Sequence, residues 1–131
     1  MRGKWISVLF IVATLYDAVL GLAFLIIPIR IFEMFQVTPP NHVAYVQFPG
    51  LLLLLFAAMY VTIAVDPVKY RILIPFGAGL KIAYAGTVFV YEATSGIPSM
   101  WLPWAWIDLL FLLLFIIAWR VTGRMKMSAA G

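Results

Sequence analysis

Cysteine is absent from the 131-residue chain, which excludes disulfides, thiolate metal sites, cysteine-ligated iron–sulfur clusters and thiol catalysis. Histidine occurs once, at His42, too few for a multi-histidine metal or haem site within one chain. Charge is scarce as well. Only 11% of the residues are charged, nine basic and five acidic, where a soluble domain devotes about a quarter of its residues to charged side chains. Recognisable catalytic patterns are missing too: there is no paired-histidine metal motif, no nucleophile elbow and no phosphate loop. No cofactor is implied.

Apolar side chains fill the space these absences leave. Hydrophobic residues make up 66% of the chain and the mean hydropathy is +1.09, so the chain reads as an integral membrane protein whose main solvent is the lipid bilayer. A bilayer-crossing helix needs roughly 20 residues, leaving room for about four spans and no separate folded domain. The net charge of +4 does not indicate a nucleic-acid partner, because no basic patch stands in a soluble or motif context.

Four long apolar runs, at 5–27, 43–65, 71–92 and 101–119, predict an all-α, four-helix, up-down-up-down transmembrane bundle forming a single domain over 1–131. They lack the period-2 alternation of a barrel. Basic residues orient the spans. Arg2, Lys4, Lys69, Arg71, Arg120, Arg124 and Lys126 fall on the side of the termini and only Arg30 on the other, which predicts cytoplasmic N- and C-termini in a multi-pass protein.

The connections are punctuated accordingly. Asp66-Pro67 reads as a capping carboxylate before a proline at the first helical position, starting the third helix after a tight turn. Ser95-Gly96-Ile97-Pro98 ends that helix, and Pro103 falls in the first turn of the fourth. Between the first two spans, residues 28–37 space Ile29, Phe32 and Phe35 at i, i+3, i+6 with Arg30 and Glu33 on another face. That pattern suits a short interfacial helix or, alternatively, a hydrophobic loop packed over the bundle mouth. Pro49-Gly50 predicts a bend in the second span that widens the mouth.

Three ionisable residues fall inside the spans: Asp17, Lys81 and Asp108. Each costs about 2.5–3.5 kcal/mol on insertion scales if left bare at the bilayer centre, so each requires a partner. Counted from the terminus-side ends of their spans they lie 12, 10 and 11 residues up, or roughly 18, 15 and 17 Å at 1.5 Å per residue. The three should meet in one plane. Thr14 and Gly21 share the Asp17 face, Gly77 and Tyr84 that of Lys81, and Trp104, Ala105 and Phe111 flank Asp108. Gly79, Ala83 and Gly86 form a separate small-residue stripe, a packing seam within the bundle or between protomers.

Two accounts of the charges stay open. Lys81 is a permanent cross-brace between two carboxylates, or the formal charge of −1 on the trio is relieved by carrying a proton or binding a polar ligand group. Tyr16 and Tyr84 would lie just above the trio. Beyond them, His42, Tyr45, Gln47, Tyr91, Glu92, Trp101 and Trp104 could rim an outward pocket or simply meet headgroups and water.

The motifs LYDAVLGLAFLIIP, VQFPGLLLL, GAGLKIAYAG and WIDLLF, with Asp-Pro before the third span and Gly-Ile-Pro before the fourth, resemble the DoxX-like superfamily of small four-helix bacterial membrane proteins over about residues 8–119. The resemblance implies a bacterial inner-membrane bundle, and an association with membrane redox complexes for a chain that would not itself carry electrons. The small multidrug resistance family is similar in size and span count, with an acidic residue where Asp17 stands, but Lys81 departs from its pattern.

The leading expectation is thus a non-enzymatic membrane protein, a homo-oligomer or accessory subunit, binding a small or lipid-like ligand or a partner. A proton-coupled transporter acting as a homodimer comes second. An intramembrane enzyme using Asp/Lys acid–base chemistry comes third.

Overall fold

The computed structural model describes residues 3–130, leaving Arg2 of the basic set outside the described residues. Five α-helices follow one another: α1 (Lys4–Ile26), α2 (Pro28–Met34), α3 (Ala44–Val65), α4 (Ile74–Ala93) and α5 (Leu102–Ala130). Single 3-10 turns, Arg71–Leu73 and Ser99–Trp101, lead into α4 and α5. Four of these segments are long and apolar enough to cross a membrane, so the chain is an all-α polytopic membrane fold.

Packing divides the bundle into two hairpins. α1 lies along α3 and α4 along α5, while α1 with α5 and α3 with α4 touch far less. Glycines explain the closeness of the first pair. A Cβ added to Gly21 would stand 2.7 Å from the carbonyl oxygen of Gly50, and one added to Gly50 would stand 3.0 Å from that of Gly21. The two backbones therefore meet directly, as small residues permit in membrane bundles. Gly50 serves this contact, and α3 runs as a single helix through Pro49.

The half of the bundle nearest the termini is closely packed along its axis, with an open pocket at its extreme end, between Lys4, Asp66 and Met125. Ile6, Leu9, Phe10 and Ala13 of α1, Tyr60 and Ile63 of α3, Ile74 of α4 and Phe111, Phe115 and Ala118 of α5 form one buried cluster. Phe10 and Phe115 stack at 4.7 Å, with Tyr60 5.4 Å from Phe115. At that end Arg71 joins the two hairpins' connection to α5: Nη2 donates to the Trp119 carbonyl at 2.8 Å, Nε donates to Thr122 Oγ1 at 3.3 Å, and the guanidinium lies 3.6 Å from the Trp119 ring centroid. Gly123 leaves room for it, since a Cβ there would meet Nη2 at 2.8 Å.

Three expectations need correcting. Pro67 begins a turn rather than a helix: Asp66 Oδ1 accepts from the Lys69 amide at 3.1 Å, and the α-helix starts only at Ile74. Pro75 is the physical reason, because its ring and missing donor would break a helix running up from residue 67 but fit the first turn of one starting at 74. The fourth long helix passes the predicted end at Trp119 and continues to Ala130, about 16 Å further at 1.5 Å per residue. Lastly, Gly79 and Gly86 face outward with nothing within 4 Å of an added Cβ, so the small-residue stripe is no seam inside the bundle.

At the opposite end, α2 forms within 28–37 with Pro28 and Phe32 buried and Ile29 and Phe35 exposed. Phe32 packs with Val46 and Met100, so α2 is a short helix and also covers the bundle mouth. Gln36 takes a left-handed conformation (φ 55°) and lets the Val37 amide donate back to the Phe32 carbonyl at 2.9 Å, which closes the helix.

Candidate functional site: a buried ion trio beneath an apolar cavity

The inward faces of α1, α4 and α5 bring Asp17, Lys81 and Asp108 together where the closely packed half of the bundle ends. Lys81 Nζ lies 3.2 Å from Asp17 Oδ1 and 3.2 Å from Asp108 Oδ1, with side-chain exposures of 1%, 1% and 8% for Lys81, Asp17 and Asp108. Equal heights follow from the fixed rise of three helices and from the cost of leaving any of the three groups unpaired in lipid. Aromatic rings complete the cation's surroundings. Nζ lies 5.3 Å from the Tyr16 ring centroid, 5.1 Å from that of Phe111 and 5.7 Å from that of Tyr60, within the range of cation–π attraction.

Hydrogen bonding around the trio is incomplete. Asp17 Oδ2, Tyr16 Oη and Tyr60 Oη are buried and have no partner. An orphaned polar atom in such surroundings costs about 1–3 kcal/mol, more for a charged group, and asks for an explanation. Tyr84, by contrast, is satisfied: its hydroxyl donates to the Trp101 carbonyl at 2.9 Å and fixes α4 against the start of α5. Thr14 donates to the carbonyls of Phe10 at 2.8 Å and Ala57 at 3.3 Å and so belongs to the α1/α3 seam.

Above the trio, toward α2, the hairpins separate around a cavity of about 640 Å³. Asp17, Asp108, Tyr16 and Tyr84 lie at its polar end. Leu20, Phe24, Leu53, Leu80 and Val88 make its apolar walls, and Phe32 and Val37 from the α2 region reach into its far end. Of its wall residues, Pro49 and Leu52 of α3 and Thr87 of α4 are exposed. Thr38, Tyr45 and Pro98, at its α2 end, are exposed too, so the cavity opens both at that end and along the side between α3 and α4, two helices that touch little.

The residues expected at the rim divide into two groups. Tyr45, Trp101 and Trp104 line the cavity, whereas His42, Gln47, Tyr91 and Glu92 do not. His42 Nδ1 accepts from the Ala44 amide at 3.1 Å, closing the turn into α3, and its ring meets Tyr45 edge-on. Gln47 Nε2 donates to the Leu25 carbonyl at 3.1 Å, satisfying the last turn of α1. Tyr91 and Glu92 are exposed at the end of α4. Tyr60 was missed: it is fully buried and lies against Gly77 at the base of the trio. Its signal was a hydroxyl in the middle of an otherwise apolar run.

Among the described residues, no group of three or more His, Asp or Glu side chains is placed to hold a metal ion. No family model, curated protein or solved structure matches this chain. The class of protein rests on its own architecture: a multi-pass, four-span bundle built around a buried Asp–Lys–Asp cluster.

Proposed function

We propose that the chain is a non-enzymatic membrane protein whose cavity takes a small or lipid-like ligand, apolar along most of its length and polar at the end that meets Asp17, Tyr16 and Asp108. One observation carries the reading. Asp17 and Tyr16, whose Oδ2 and Oη are enclosed and without partners, stand beside the partly open Asp108 carboxylate at the polar end of an apolar-walled cavity, where a polar group toward which these side chains turn relieves the cost of leaving them bare. A cross-brace alone would be built with its acceptors satisfied.

The DoxX-like resemblance adds a second element to the proposal: an accessory subunit in the bacterial inner membrane, termini in the cytoplasm, presenting its ligand to a larger complex. The cluster carries no electrons in this reading.

The test is to purify the protein into lipid nanodiscs and identify co-purifying small molecules by mass spectrometry, alongside Leu80→Trp, which fills the cavity from α4. A single hydrophobic species in near-stoichiometric amount, absent from Leu80→Trp, supports the proposal. Identical lipid content in both proteins refutes it. Proton-coupled exchange is the second reading, favoured by the free carboxylate oxygen of Asp17, and it requires pH-gradient-driven flux in proteoliposomes that Asp17→Asn abolishes.

A further inference from the structure

The way the trio shares its hydrogen bonds specifies the head group of the ligand. Lys81 reaches both carboxylates through the same type of atom, Oδ1 of Asp17 and Oδ1 of Asp108, each at 3.2 Å. Among the described residues no side chain donates to the second oxygen of either. One ammonium therefore serves two carboxylates, and with both ionised the trio keeps a formal charge of −1 in a site shielded from water. The hydroxyls nearby do not balance it: Tyr84 is committed to the Trp101 carbonyl, and Tyr16 and Tyr60 are neutral.

The walls add a second, independent indication. Between the trio and the mouth the cavity is bordered by aromatic side chains, with Tyr16 and Trp104 rings tilted and 6.2 Å apart and Phe24 stacked on Trp101 at 5.9 Å. Excess negative charge at the end of an aromatic-walled cavity is the chemistry that binds cations, through charge-assisted hydrogen bonds and ring quadrupoles together. An anionic head would meet the same carboxylates with repulsion. A neutral hydroxyl could donate one hydrogen bond but would leave the charge in place.

We propose that the ligand is an amphiphilic ammonium: a primary amine head on an apolar tail, its N–H groups donated to the partly open Asp108 carboxylate and, once the enclosed Asp17 and Tyr16 side chains turn toward the cavity, to Asp17 Oδ2 and Tyr16 Oη, its tail lying along Leu20, Leu53 and Val88. Three donors then meet three acceptors. The side gap between α3 and α4 lets such a molecule arrive from the bilayer without crossing water. This inference rests on the ligand-binding reading above and sharpens it to one head-group charge.

Three probes with the same twelve-carbon tail separate the possibilities: dodecylamine, dodecanol and dodecanoate, titrated into the protein in neutral phosphatidylcholine nanodiscs, with empty discs subtracted and tryptophan fluorescence as the readout. The expected result is saturable amine binding about tenfold or more tighter than the alcohol, equivalent to about 1.4 kcal/mol, and no saturable binding of the carboxylate. Asp108→Asn leaves the Asp17–Lys81 pair neutral and should erase the amine's margin while the alcohol's affinity stays. Equal binding of all three, or tightest binding of the carboxylate, overturns the cation assignment and leaves the ligand-binding reading standing. Full amine preference in Asp108→Asn also overturns it. Absence of saturable binding by every probe, unchanged by Leu80→Trp, overturns both.

Discussion

Replacing Lys81 with methionine removes the cation that, alone among the described residues, pairs with the two buried carboxylates, while keeping an unbranched side chain of similar length. Asp17 and Asp108 each lose their 3.2 Å partner, and three ring faces lose the charge they surround. Breaking a buried pair by deleting one member costs about 3–5 kcal/mol. The three ring contacts, each worth about 0.5–2 kcal/mol, are lost in the same step and together reach a similar size, so the recovery on also removing an aspartate is what isolates the carboxylates. Lys81→Met should therefore destabilise the bundle by about 3–5 kcal/mol, an expectation set by the stranded carboxylates. Combining it with Asp17→Asn returns the site to a formal charge of −1 and should restore at least half of the loss. Adding Asp108→Asn as well makes the site neutral and should restore more. The measurement is reversible unfolding in mixed micelles for the parent, Lys81→Met, Asp17→Asn and their combination, read as a double-mutant cycle, with the triple variant alongside. A Lys81→Met protein within about 1 kcal/mol of the parent, or single and double variants whose effects simply add, would refute the cross-brace argument.

Other perturbations probe the packing that holds the site. Gly21→Ala should destabilise by about 1–3 kcal/mol, because its Cβ meets a backbone oxygen on α3; Gly79→Ala and Gly86→Ala, open on the outer face of α4, should be neutral or gain up to about 1 kcal/mol in helix propensity. Destabilisation at 79 and 86 equal to that at 21 would mean that a second copy covers that face. Arg71→Lys should fare no better than Arg71→Ala in thermal unfolding, since the contact with Trp119 and Thr122 needs a planar, forked donor. Tyr60→Phe removes a buried hydroxyl without a partner and should leave stability unchanged or raise it; a loss above about 1 kcal/mol would mean that the hydroxyl holds a bound group.

Spans and the plane of the charges were legible in the sequence for the same reason: lipid penalises both a broken backbone and a bare charge so heavily that hydropathy and a 1.5 Å rise settle where each must lie. The end of α5 was not legible, because Arg120, Arg124 and Lys126 stop a hydropathy run without stopping a helix, and residues 124–130 contain neither glycine nor proline. Gly50 and Gly79 look alike in sequence. Only the neighbouring helix distinguishes a glycine that admits a backbone from one that faces outward. Gln47 and His42 read as rim residues because they are polar and near a span end, yet both satisfy backbone groups at helix ends. For Phe32 the spacing allowed either an interfacial helix or a segment packed over the mouth, and Val46 and Met100 are the partners that bury it there.

The division into two hairpins bears on how the chain is assembled. Lys81 and Asp108 are supplied by the second hairpin, which can pair its own charges, and Asp17 by the first, which cannot. As synthesis proceeds, α1 and α3 can zip together over Gly21 and Gly50 with Asp17 still unsatisfied, and that carboxylate stays without its cation until α4 arrives. A half-made chain thus holds an acidic group in lipid that only the second hairpin satisfies.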